Sequence, residues 1–321
     1  MFHYHFRSRN AIQPGEADLY QQISEWEIPV GEDLVSQLAP PSALGQPYSP
    51  SNWATVPPDA ACALGETVGL SQPRDLFVAP ADVRQVSGAY VYSPLQVLAV
   101  GDRGVALWVD DLPFDRVACV LGYHDILLIE HRLDDHSGHL TIIGDALRFT
   151  LHYRRSSWLS LDELLLRIRR RTARIPETDV GLAAAAWSVT WSALATSALV
   201  TLGAPGPSRS VSAGFVPKPK RLHAGKEWPP CSAALTEREL VLVRDAGGRL
   251  PLQHGVVLIT PRDRLTQLNA DGNRLRVHAG TTAHTFEVGE RFATAVVQEL
   301  AGSPNSTAEC TFSPRDSEGV Q

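Results

Sequence analysis

The sequence predicts a mainly β chain of α+β type, in which two small antiparallel β-barrel modules, each closed by a C-terminal helix, are joined by an apolar helical segment. Three observations carry this. Short β-type runs at close intervals, separated by turn residues, fill residues 95–153. The hydrophobic period then changes from two to 3.6. A fainter copy of the same order follows residue 232. The chain of 321 residues, 44% hydrophobic and 20% charged, is long enough to bury more than one core.

Residues 1–84 read as an extended, Pro-rich N-terminal arm. Gln13-Pro-Gly, Ala39-Pro-Pro-Ser, Tyr48-Ser-Pro-Ser and Val56-Pro-Pro-Asp interrupt regular structure. One interval, Glu16 to Trp26, carries Leu19, Ile23 and Trp26 at helical spacing. The arm is acidic and bears Trp26, Tyr48 and Trp53, so it is either ordered by wrapping over a partner or the rest of the chain, or a cleavable extension.

The first module spans residues 85–176. Its strands are expected at Leu95–Val100, Gly104–Val109, Arg116–Leu121, Ile126–Leu133, His139–Ile143 and Leu147–Tyr153. Gly101-Asp-Arg, Asp134-Asp-His-Ser-Gly and Gly144-Asp supply hairpin loops between them. After Tyr153, Leu161, Leu164, Leu165, Ile168 and Thr172 share one helical face, with Arg167, Arg170, Arg171 and Arg174 mostly off it. Ser160 or Asp162 can cap this helix, and Pro176 stops it. The second module, residues 232–302, opens with Ala234-Leu-Thr-Glu-Arg-Glu-Leu-Val-Leu-Val, which echoes Ala99-Val-Gly-Asp-Arg-Gly-Val-Ala-Leu-Trp. Strands follow at 255–260, 264–268, 274–278 and 282–288, then a helix over 290–300; residues 303–321 read as a disordered tail.

The run Asp125-Ile-Leu-Leu-Ile-Glu-His, then His139-Leu-Thr-Ile-Ile-Gly, then Leu147-Arg-Phe-Thr-Leu-His-Tyr, then Leu164-Leu-Leu-Arg-Ile-Arg, resembles the strand-strand-strand-helix ending of bacterial pleckstrin-homology-like (PH-like) domains. The resemblance covers residues 85–175 and rests on hydrophobic patterning rather than signature residues. It implies two tandem PH-like barrels. In many eukaryotic relatives of that fold, basic residues around the first hairpin hold phosphoinositide headgroups. Here that loop is Val100-Gly-Asp-Arg-Gly, where Asp102 offsets Arg103, and the second module has Thr236-Glu-Arg-Glu, so the chain departs from the headgroup-binding pattern.

Between the modules, residues 177–231 form an apolar helix and a basic linker. Residues 182–202 are 21 uncharged positions without Gly or Pro, long enough to span a bilayer as a helix. Six Ser and Thr and seven Ala against four Leu and two Val weaken that reading. Three readings stand: a buried helix docking the modules or a partner subunit, a transmembrane anchor, and an interfacial helix held by arginines. Trp187, Trp191 and Leu194 with Arg167, Arg170, Arg171 and Arg174 are therefore the candidate partner or membrane contacts. The plainer explanation of the arginines is a solvated helix face.

The chain lacks a glycine-rich phosphate loop, a Gly-x-Ser-x-Gly elbow and a His-Glu-x-x-His pair. Cys62, Cys119, Cys231 and Cys310 are far apart, which predicts reduced thiols and no zinc ribbon. The cluster His131, Asp134, Asp135, His136 and His139 is the best metal candidate, although strand parity and ordinary hairpin chemistry account for it too. His3 and His5 are weaker. Residues 1–94 carry 4 basic and 10 acidic side chains, 95–180 carry 11 and 13, 181–230 carry 5 and 1, and 231–321 carry 9 and 11. No segment has the basic excess that nucleic-acid binding needs. The N-terminus lacks a basic region followed by an apolar one, which predicts a cytoplasmic chain, with membrane association as the alternative. The expectation for function is a non-enzymatic scaffold or accessory subunit that binds a protein partner and needs no cofactor. A membrane-anchored protein and a metal-dependent hydrolase at residues 131–139 are the alternatives.

Overall fold

A computed structural model of the chain describes residues 28–30, 46–86, 89–110, 117–133, 137–154, 158–175, 198, 209–213, 230–245, 255–301 and 309–311. The fold is mainly β and antiparallel, and it divides into two compact units: residues 1–126 with 136–168, and residues 127–135 with 169–321. Each sheet runs between free edges, so among the described residues no sheet closes into a barrel.

In the first unit, β1 (Ile28–Val30), β3 (Asp82–Val86) and β4 (Ala89–Ser93) form a sheet of order β1-β4-β3. A four-stranded sheet has the order β2 (Leu76–Ala79), β5 (Leu95–Val100), β6 (Gly104–Asp110), β7 (Val117–Gly122). β9 (Ser137–Gly144) pairs with β10 (Arg148–Arg154), as the alternating Leu140, Ile142, Phe149 and Leu151 require.

The proposed arm contains a helix, α1 (Pro58–Val68), which the breaker count concealed. Pro58 sits in its first turn, where a missing N–H costs nothing, and Gly69 ends it in the left-handed region at φ 70°. Ala60, Leu64 and Val68, four residues apart, bury one stripe in a core with Leu76, Val78, Val97, Ala99, Ala106 and Trp108. The expected helix over 16–26 lies outside the described residues.

α2 (Trp158–Ala173) spans the helix expected after Tyr153. Leu161, Leu164, Leu165 and Ile168 are buried as the 3.6-residue period requires. Its end is a Schellman turn: Arg174 adopts φ 54° and the Ile175 N–H bonds the Arg170 carbonyl at 2.8 Å.

In the second unit, β11 (Arg209–Ala213), β12 (Cys231–Leu235), β13 (Glu239–Asp245) and β14 (Gly255–Pro261) form an antiparallel meander. β14 then pairs with β8 (Ile126–Leu133). That pairing is non-local and joins Ile129–Leu133 to Gly255–Ile259, which no local pattern announces; it places residues 127–135 in this unit rather than in a module ending at 176. A second sheet has the order β17 (Thr282–Glu287), β16 (Arg274–Ala279), β15 (Leu265–Asp271), β18 (Glu309–Thr311). α3 (Glu290–Ala301) buries Phe292, Ala293, Val296, Val297 and Leu300.

The internal echo has matching geometry. Val100 pairs with Val105 across Gly101-Asp-Arg, and Leu235 pairs with Leu240 across Thr236-Glu-Arg. Gly101 N donates to the Gly104 carbonyl at 3.0 Å, and Thr236 N to the Glu239 carbonyl at 2.9 Å. Among the described residues no helix is long and apolar enough to cross a membrane.

Candidate functional site

The second unit carries a groove of about 610 Å³ beside β17. Its walls come from the ends of β8 (Glu130, Arg132, Leu133), β13 (Arg244), β14 (Gly255, Val256) and β16 (Arg274), and from His284–Glu287 of β17. Among the described residues β17 ends its sheet, pairing with β16 on one side only. The alternation of a strand sorts its side chains: His284 and Phe286 turn inward, whereas Thr285 and Glu287 are exposed. Arg244 donates through Nη1 to the Glu287 carbonyl at 2.9 Å, so that carbonyl points away from β16. The backbone groups of Ala283 and Thr285 share its parity and point to the same free edge.

Glu130 holds the floor. His284 Nε2 lies 2.8 Å from its Oε2, and Arg132 Nη2 donates to its Oε1 at 2.8 Å. Burial works to raise the Glu130 pKa, but the bond and charge of His284, with those of Arg132, outweigh it and hold the carboxyl below its ordinary value. The Arg244 guanidinium lies 5.6 Å from the centre of the Phe286 ring, a cation–π contact that fixes its plane. Arg132 is 50% exposed and Arg274 54% exposed, the latter 3.9 Å from Glu287. Three guanidiniums face two carboxylates, which leaves a surplus of positive charge and of N–H donors for an anionic guest.

The first unit has a second polar constellation. Ser137 Oγ lies 2.9 Å from His139 Nε2, and His139 Nδ1 lies 2.9 Å from His152 Nδ1, with the rings edge to face at 4.8 Å. Gln96, fully buried, accepts the His152 backbone N–H at 2.8 Å. The His139–His152 contact follows from the direct pairing of these residues across β9 and β10.

Of the metal candidates, His131 is buried on β8, His139 belongs to the pair just described, and Asp134, Asp135 and His136 lie outside the described residues, as do His3 and His5. Among the described residues no group of three or more His, Cys, Asp or Glu is placed to hold a metal ion. Arg167 is committed to Asp75 and to the Arg74 carbonyl at 2.9 Å. Arg170 is half-buried, whereas Arg171 and Arg174 are exposed. Trp187, Trp191 and Leu194 lie outside the described residues. The headgroup loop is engaged internally, because the N–H groups of Asp102 and Arg103 donate to the carbonyls of Gly69 (3.2 Å) and Val68 (3.0 Å).

No protein-family model, curated protein or solved structure matches the chain. The groove therefore stands on its own chemistry. Sequence patterning missed it because its arginines come from three separate strands. It also missed Arg169, which sits one place from Ile168 and four from Leu165, hence on the apolar row. Arg169 is buried and donates to both oxygens of buried Glu239, at 2.5 and 3.3 Å, and to the carbonyl of Ala198 at 3.2 Å. The repeat of four through Leu161, Leu165 and Ala173 was the available signal.

Proposed function

We propose that the chain is a non-enzymatic scaffold or accessory subunit that binds a protein partner through two PH-like modules. In the second unit, a meander of β11 to β14, a meander of β15 to β17 and a closing helix support that module reading, as does the matched hairpin in each unit. The observation that carries the functional reading is the free edge of β17 beside a groove with surplus guanidinium groups. An unpaired edge offers main-chain donors and acceptors in a row, and a partner strand satisfies them by adding to the sheet.

Arg169, Glu239 and the Ala198 carbonyl form one buried set, and Ala198 belongs to the apolar 182–202 segment. The burial of Ala198 supports the docked reading over the membrane anchor. A photoreactive amino acid at Thr285, installed in the full chain in the cells that make it, tests the proposal. Adducts of protein size are expected from this site and not from exposed Glu163 on α2. The absence of any adduct at Thr285, or equal adducts at both sites, refutes it.

A further inference from the structure

We infer that the β17 groove takes an extended, acidic segment of a partner protein, added as a strand along the β17 edge. This rests on the partner-binding reading and names the chemistry that the site selects. Two features fix the guest. The first is backbone: the N–H and C=O groups of Ala283 and Thr285 face the open side of β17, two residues apart, as a strand requires of its next neighbour. The second is charge. Arg132 and Arg274 are each about half exposed and line the groove, and a guanidinium presents five donors in a planar fork matched to a carboxylate. Glu130 and Glu287 offset two of the three guanidiniums that line the groove, so its net charge stays positive.

Side chains of an added strand alternate between two faces. Carboxylates therefore serve the arginine wall at every second position, while the intervening side chains meet the apolar ground of Leu133 and Val256. A basic segment would meet like charge, and a proline-rich one would lack the N–H groups that the edge needs.

The test uses the full chain and a fluorescent ten-residue peptide alternating Glu with Val, read by polarisation. Two controls accompany it: the same peptide with Lys for Glu, and one with Pro for Val that keeps every carboxylate. Saturable binding of the Glu–Val peptide alone is expected, and it falls as salt is raised. Charge reversal in Arg132→Glu/Arg274→Glu is expected to weaken it at least about tenfold. Both positions are exposed, and an unchanged melting curve shows that the variant is folded.

Equal binding of the Pro peptide overturns strand addition, and equal binding of the Lys peptide or of the charge-reversed variant overturns the acidic guest. Binding of phosphatidylglycerol vesicles in place of the peptide overturns a protein guest. No peptide binding while Thr285 still forms partner adducts defeats this inference and leaves the partner-binding reading in place; loss of both defeats both.

Discussion

Replacing Arg169 with Met is expected to be among the most damaging single changes in the second unit. Its guanidinium is 2% exposed and the facing Glu239 carboxylate 1% exposed, so neither has water to fall back on. Arg169 donates to both Glu239 oxygens and to the Ala198 carbonyl. The Met side chain fills similar space but strands a buried carboxylate and a carbonyl. Breaking a buried pair from one side costs about 3–5 kcal/mol. With a denaturant slope of about 1–3 kcal/mol per molar urea, the unfolding midpoint falls by at least about 1 M. The double variant Arg169→Met/Glu239→Leu removes both charges and is expected to recover most of that loss, since apolar replacements of buried pairs are often neutral or better. Urea unfolding of the wild type, both single variants and the double variant gives the coupling directly. A loss below about 1 kcal/mol in Arg169→Met, or a double variant as unstable as the single, refutes the reasoning.

Other outcomes follow from the same structure. The Glu130 carboxyl titrates below its unfolded value near 4.5, so its ionised form favours the folded state above that pH and loses this advantage as pH falls through the folded pKa. The stability gap between wild type and Glu130→Gln should thus be widest at neutral pH and close on acidification, which unfolding curves from pH 7 to 3 measure. Gly101→Ala puts a Cβ 2.1 Å from the Val68 carbonyl oxygen, where Arg103 N–H also bonds. A cost of about 2 kcal/mol or more is expected in thermal unfolding, and a neutral result contradicts the docking of this turn on α1. Burial pushes the thiols of Cys119 and Cys231 up to about 12, whereas Cys62 is exposed. Iodoacetamide should modify Cys62 in the native chain and spare Cys119 and Cys231 until denaturant is added, as peptide mass mapping would show.

Local chemistry made most elements legible. The turn residues Gly101-Asp-Arg and Gly144-Asp bound β5, β6, β9 and β10 as expected, and β14 to β17 begin within one residue of the runs that suggested them. α1 was obscured because Pro57, Pro58 and Gly69 count as breakers in a composition window, yet here they are the helix boundaries. Arg169 was not singled out from the sequence because arginine is so seldom buried; only its place on the Leu161–Leu165 row marked it. The groove had no local signature at all. Arg132, Arg244, Arg274 and His284 meet through the pairings of β8 with β14 and of β16 with β17, and pairing partners over such separations are set by tertiary packing.

The most direct test of partner binding at the β17 edge is amide hydrogen exchange, resolved by residue, in the full chain with and without the Glu–Val peptide. The Ala283 and Thr285 amides, which face the open edge, should slow by about tenfold or more on binding, while those of His284 and Phe286, already turned toward β16, change little. Unchanged exchange at Ala283 and Thr285 under saturating peptide, or protection confined to another surface, would contradict it.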